Sequence, residues 1–155
     1  MKPTSRFSLA VQIGSALAVL LFGTAARADI IMDWNAKADA LAVEKQLPNA
    51  PNARGQAMLH IAMFEAVNAV DRRYAPYKLN LTADRTTSRE AAAAAAAYDV
   101  LLALHPDKKS DLDATLAAAL AAIADADAKS KGIELGRKAA AASRDVPWSA
   151  ARLSL

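Results

Sequence analysis

The stretch Ala53-Arg54-Gly55-Gln56-Ala57-Met58-Leu59-His60-Ile61-Ala62-Met63-Phe64-Glu65-Ala66-Val67-Asn68-Ala69-Val70 decides the fold. Leu59, Ala62, Met63, Ala66, Val67 and Val70 recur at helical spacing and form one apolar stripe, as in a helix that buries one face. His60, Phe64 and Asn68 fall four apart on a second face, with Glu65 beside them. Upstream, the proline and asparagine cluster in Leu47-Pro48-Asn49-Ala50-Pro51-Asn52 predicts a loop that ends a first helix running from about Ile31 to Lys45. Downstream, Tyr74-Ala75-Pro76-Tyr77 closes the second helix.

The rest of the chain repeats this logic. Thr87-Ser88-Arg89-Glu90 fits a capping box with Thr87 as the cap, and predicts a third helix to about Leu104. Its alanine run, 91–97, combines high helix propensity with a smooth surface for close packing. His105-Pro106 ends it. Ser110 and Asp113 open a fourth helix bearing Leu112, Leu116, Leu120 and Ile123, and a fifth is expected from about Ala128 to Ala142. In the fifth, Gly132 and Gly136 share a face and let another helix approach closely. No alternating run reads as a strand, so the expected class is all-α, a partial bundle of about five helices.

Residues 1–28 read as a secretory signal peptide: Lys2 and Arg6 precede an apolar core from Leu9 to Phe22, and Ala26-Arg27-Ala28 forms the cleavage site. The core is shorter than a membrane span needs and is interrupted by Gln12, Gly14 and Ser15. The expected product is therefore exported, periplasmic or secreted, with no stable membrane anchor after cleavage. The net charge of +3 belongs to this leader, since Lys2, Arg6 and Arg27 are unmatched there and the mature part keeps as many bases as acids. No nucleic-acid footprint remains. With no cysteine, an exported chain has neither a disulfide framework nor thiolate chemistry.

Asp33-Trp34-Asn35, residues 54–70 and Tyr74-Ala75-Pro76-Tyr77, continued by Glu90-Ala91 and Ala97-Tyr98-Asp99-Val100-Leu101-Leu102-Ala103-Leu104, resemble the opening helices of bacterial vanadium-dependent haloperoxidases of the type-2 phosphatidic acid phosphatase superfamily. The resemblance fades after about Ala142. It implies a helical bundle whose catalytic half holds vanadate or phosphate with Lys, Arg and His. That half is signalled by Arg-Pro and Pro-Ser-Gly-His motifs, and this sequence contains neither an Arg-Pro nor a Ser-Gly-His. Residues 29–142 are thus expected to be the N-terminal helical region of such a protein, with vanadate implied only for an intact relative. The natural partner would be a missing catalytic half or a second copy. Residues 143–155, with Pro147 and Trp148, read either as a frameshifted tail or as a frayed natural terminus.

The residues themselves offer no catalytic, cofactor-binding or metal-binding set. His60 reads either as part of a polar surface lining a cleft or as a buried or partly buried hydrogen-bonding residue where the helix meets the missing half. His60 and Glu65 are five apart, a spacing that does not join two ligands on one helix. Arg54, Arg72 and Arg73 flank helix ends, where solvated charge suits the macrodipole, and His105 is expected to cap a C-terminus in the same way. Asp111, Asp113, Asp125 and Asp127 are expected to be helix-start or loop carboxylates, and no nucleophile–base pair or phosphate loop is present. The function expected is an inactive scaffold region of an exported haloperoxidase or acid phosphatase. The alternative is a small exported alanine-rich interaction module.

The leader reading predicts that mass spectrometry of exported material finds Asp29 at the N-terminus. Retention of Met1 in a membrane fraction would contradict it.

Overall fold

The computed structural model of the chain describes residues 29–77 and 79–145. They form five α-helices and no strand: α1 Ile30–Glu44, α2 Asn49–Asp71, α3 Arg89–Leu104, α4 Lys109–Ala121 and α5 Ala126–Arg144, with a 3-10 turn at Pro106–Lys108 before α4. The all-α class follows directly. Within these residues no helix is long and apolar enough to cross a membrane.

Helix α3 is the centre of the bundle. All seven alanines of 91–97 are buried, so its N-terminal half is enclosed on every side rather than along one stripe. It packs most extensively against α5, then α2, with α4 and α1 on its remaining flanks. The α3–α5 contact is made at backbone distance. A Cβ placed on Gly132 would lie 2.5 Å from the Ser88 carbonyl oxygen, and one on Gly136 would lie 2.3 Å from that of Ala92 and 2.8 Å from the Ala95 Cβ. The Ser88 N–H reaches across to the Ala128 carbonyl at 3.0 Å, tying the starts of the two helices together.

The bulky core residues surround this seam. Leu59 and Met63 of α2, Trp34 and Leu41 of α1 and Leu112 of α4 are nearly inaccessible to solvent. In α1, Trp34, Ala38 and Leu41 fall on one face, and Asp29 caps the helix by accepting the Ile31 N–H at 3.0 Å. The outer side of α1 is fastened to the 3-10 turn and the start of α4 by ion pairs: Lys45 with Asp107 and Glu44 with Lys108 of the turn, and Lys37 with Asp111 of α4. Tyr98 donates a 2.6 Å hydrogen bond to Asp113, which also takes Lys109.

Four boundaries differ from those expected. The predicted loop at 47–52 is largely helix, because α2 begins at Asn49 with Pro48 as its N-cap residue and Pro51 inside the first turn. There a missing N–H costs nothing, since first-turn donors have no intrahelical acceptor. The cap of α3 is Ser88, not Thr87: Ser88 Oγ accepts the Ala91 N–H at 3.1 Å and donates to Glu90, while the Thr87 side chain is buried. Helix α4 stops at Ala121, before Ile123. Helix α5 extends to Arg144 with Ser143 buried, so the predicted tail begins within it; residues 146–155 lie outside the described residues.

The seam predicts opposite outcomes for two glycine-to-alanine changes. Gly136→Ala should destabilise by about 1–3 kcal/mol, because the new methyl meets backbone that cannot yield. Gly55→Ala should be neutral or stabilise by up to about 1 kcal/mol, since its methyl meets only the mobile end of Leu104 at 3.3 Å and helix propensity improves. Denaturant unfolding of the two variants measures the difference.

Candidate functional site

The polar face of α2 lies against a cleft. His60, Phe64 and Asn68 line a cavity of about 260 Å³ together with Ile31, Met63, Val67, Asp71, Arg73 and Tyr74. The wall is formed by the turn after α2, and Asn68 holds that turn in place. Its side-chain NH₂ donates to the Tyr74 carbonyl at 2.9 Å, and its side-chain oxygen accepts the Tyr74 N–H at 3.0 Å. Tyr74 then rests against Phe64, ring centroids 6.3 Å apart and tilted by 40°.

Glu65 points the other way. It is 1% exposed and accepts the Leu79 N–H at 3.2 Å, so it anchors the strap that leads from the turn towards α3. Farther along the strap, the Ala83 N–H bonds the Ala69 carbonyl at 3.1 Å. Arg72 closes α2 in the left-handed conformation, φ 51°, with its guanidinium donating to the Ala83 carbonyl at 3.2 Å. That conformation costs a non-glycine residue about 1 kcal/mol, and here the strap contact offsets it.

A second, larger and mostly apolar groove of about 690 Å³ runs beside the cleft, between the start of α1 and the end of α4. Ile31, Val67 and Asp71 border both cavities, so the two form one continuous face. Ile30, Ala119 and Ile123 line the groove floor, and Trp34 closes it from below. Asp29, Asp33 and Glu90 stand at its margin, together with Arg89, whose guanidinium is engaged by Asp71 at 3.3 Å. None of these three carboxylates has a cationic partner among the described residues. Sequence reasoning missed this acidic margin, because Glu90 reads as part of a capping box and nothing local shows that the starts of α1 and α3 border one groove.

His60 is exposed at the cleft. His105 is the C-cap residue of α3 through its backbone N–H to the Leu101 carbonyl, but its ring is buried. Desolvation first, and Lys45 second, hold its pKa below the ordinary histidine value, so it is not the positive cap expected from sequence. Arg54 and Arg73 are exposed. Asp125 caps α5 through the Ala128 N–H, Asp127 pairs with Lys131, and Asp111 and Asp113 are engaged by lysines as described. Among the described residues no three His, Cys, Asp or Glu side chains come together as a metal site.

No family model matches the chain, and comparison with curated proteins and with solved structures also finds no match.

Burial of His105 predicts a pH dependence of stability. A ring whose folded pKa is depressed contributes stability that is fully present above the unfolded value near 6.5 and is lost as pH falls towards the folded value. Denaturant midpoints should therefore drop as pH is lowered below about 6.5, ahead of carboxylate titration. His105→Gln should flatten that part of the profile.

Proposed function

We propose that the chain is the N-terminal scaffold region of an exported protein of the vanadium-dependent haloperoxidase and type-2 phosphatidic acid phosphatase superfamily, without catalytic activity of its own. The observation that carries the inactive-scaffold reading is that the cationic groups of the described residues do not converge in a dry pocket. A tetrahedral oxyanion such as vanadate or phosphate needs several Lys, Arg or His donors converging in a dry pocket. Here six lysines are spent in ion pairs at the surface: Lys37, Lys45, Lys108, Lys109, Lys131 and Lys138. His60 lies exposed on α2, whereas His105 is buried at the end of α3. Arg73, Arg85 and Arg89 do line one cavity, but all three are exposed, Asp71 there pairs with Arg73 and Arg89, and Glu90 shares the lining, so this donor set does not form the dry, uncompensated cradle a bound oxyanion needs.

The residues that carry the family resemblance have packing and positioning roles instead. Trp34 fills the space under α1, Asn68 latches the Tyr74 turn, and Glu65 anchors the strap to α3. Such roles suit a scaffold that supports chemistry supplied elsewhere in an intact relative. Reading the coding DNA past codon 155 in all frames tests the family assignment. A nearby Arg-Pro and Pro-Ser-Gly-His would support it, and their absence would favour the independent exported interaction module.

The purified protein is expected to show no activity above background with a chromogenic phosphate ester, or with bromide, peroxide and vanadate. Activity abolished by His60→Ala or His105→Ala would overturn the scaffold reading. Activity indifferent to both changes would mark a contaminant.

A further inference from the structure

The apolar groove begins where the leader ends. Asp29 directly follows Ala28 and is itself part of the groove's rim. The next two residues, Ile30 and Ile31, belong to the apolar lining together with Val67, Ala119 and Ile123, and all five are only half-buried. An apolar surface of this kind, open and bounded by polar residues, is typical of a place where something docks.

The chain carries a segment that matches the groove in chemistry and is bound to it covalently. Residues 9–22 hold no charged side chain and are apolar apart from Gln12, Gly14 and Ser15. Residues 23–28, Gly23-Thr24-Ala25-Ala26-Arg27-Ala28, join that core to the rim at Asp29 and span about 20 Å when extended. That is enough for the chain to turn back over the groove. Arg27 carries the one charge of this link, and it stands next to Asp29 and Asp33, which have no cationic partner among the described residues. Tethering decides between this occupant and a separate one. A short link holds the segment at an effective concentration in the millimolar range, so a contact too weak to hold a free partner at micromolar concentration is still made. In making it, both apolar surfaces leave water together.

We propose that, while residues 1–28 remain attached, the apolar core Leu9–Phe22 seats in the groove between the start of α1 and the end of α4, and that cleavage after Ala28 uncovers it. The face thus stays closed until the chain is processed. Only the uncovering rests on the leader reading, and neither step depends on the family. Because the sequence has no cysteine, single labels report the cover. Ala117 and Ala118 are neighbouring exposed residues of α4, but only Ala118 lines the groove. In the full chain, purified with residues 1–28 attached, Ala118→Cys should react with a maleimide at least tenfold more slowly than Ala117→Cys. Adding Leu17→Asp with Val19→Asp, which breaks the apolar core, should bring the two rates within about twofold, and so should cleavage to Asp29. Circular dichroism checks that each variant folds. The protection should be unchanged over a hundredfold dilution, since the cover belongs to the same molecule. Equal rates in the intact full chain overturn the proposal, as does protection that survives the leader changes or the cleavage. Protection lost on dilution also overturns it, because a second molecule then supplies the cover. So does aggregation of the full chain that the same leader changes relieve, because the core is then not covered.

Discussion

The backbone-distance contact between α3 and α5 is the constraint on which the rest of the bundle depends. Gly132 and Gly136 of α5 meet Ala91, Ala92, Ala95 and Ala96 of α3 with no room for even one added methyl group. Glycine in a helix interior costs up to about 1 kcal/mol relative to alanine. Alanine loses no side-chain rotamer freedom on burial, and two helices at this separation exchange many dispersion contacts along their length. The seam is therefore held by shape, and the small size of its side chains is the condition for it.

That economy shifts the hydrophobic burden outward. An alanine methyl removes little apolar area from water, so most of the burial must come from Val100 of α3 itself and from Trp34, Leu41, Leu59, Met63 and Leu112 of the helices packed on it. Helix α1 depends on this most. Its inner face offers Trp34, Ala38 and Leu41, and its outer attachment to α4 is through ion pairs, each of which contributes about 0–1 kcal/mol at an exposed site. Trp34 Nε1 and Asn35 Oδ1 are also buried without a hydrogen-bond partner among the described residues, a cost of about 1–3 kcal/mol for each such group. The start of α1 is thus the least well compensated part of the bundle, and it is one wall of the open face.

The sequence was most legible where a single helix decides its own pattern. The stripe on α2 and the paired glycines of α5 each announced a face that is buried in the bundle apart from the half-buried Val67, and the alanine run of α3 is buried on every side. Misreadings arose where two signals competed. Pro48 and Pro51 break helices in their interiors but open them in the first turn, and only the position of the start distinguishes these cases. Thr87 and Ser88 are both competent caps, and Ser88 takes the role while Thr87 is buried. Histidine before proline suggested a solvated cation at a helix end, but burial against the α1 side, next to Lys45, leaves His105 neutral more readily than charged.

The open face was legible only in part, and the reason is physical. Helical periodicity placed His60, Phe64 and Asn68 together, because that relation is internal to α2. The other components come from α1, α3, α4 and the turn, brought together by packing rather than by spacing. Charge makes the distinction sharper. Around the α1–α4 junction the carboxylates Glu44, Asp107, Asp111 and Asp113 each meet a lysine, whereas Asp29, Asp33 and Glu90 meet none. In composition the two groups are alike, and each consists largely of acids near helix termini. They differ in what lies opposite them. The junction acids meet lysines from a neighbouring turn of the bundle, whereas Asp29 and Glu90 are taken up locally, Asp29 by the Ile31 N–H at the start of α1 and Glu90 by the Ser88 hydroxyl at the start of α3.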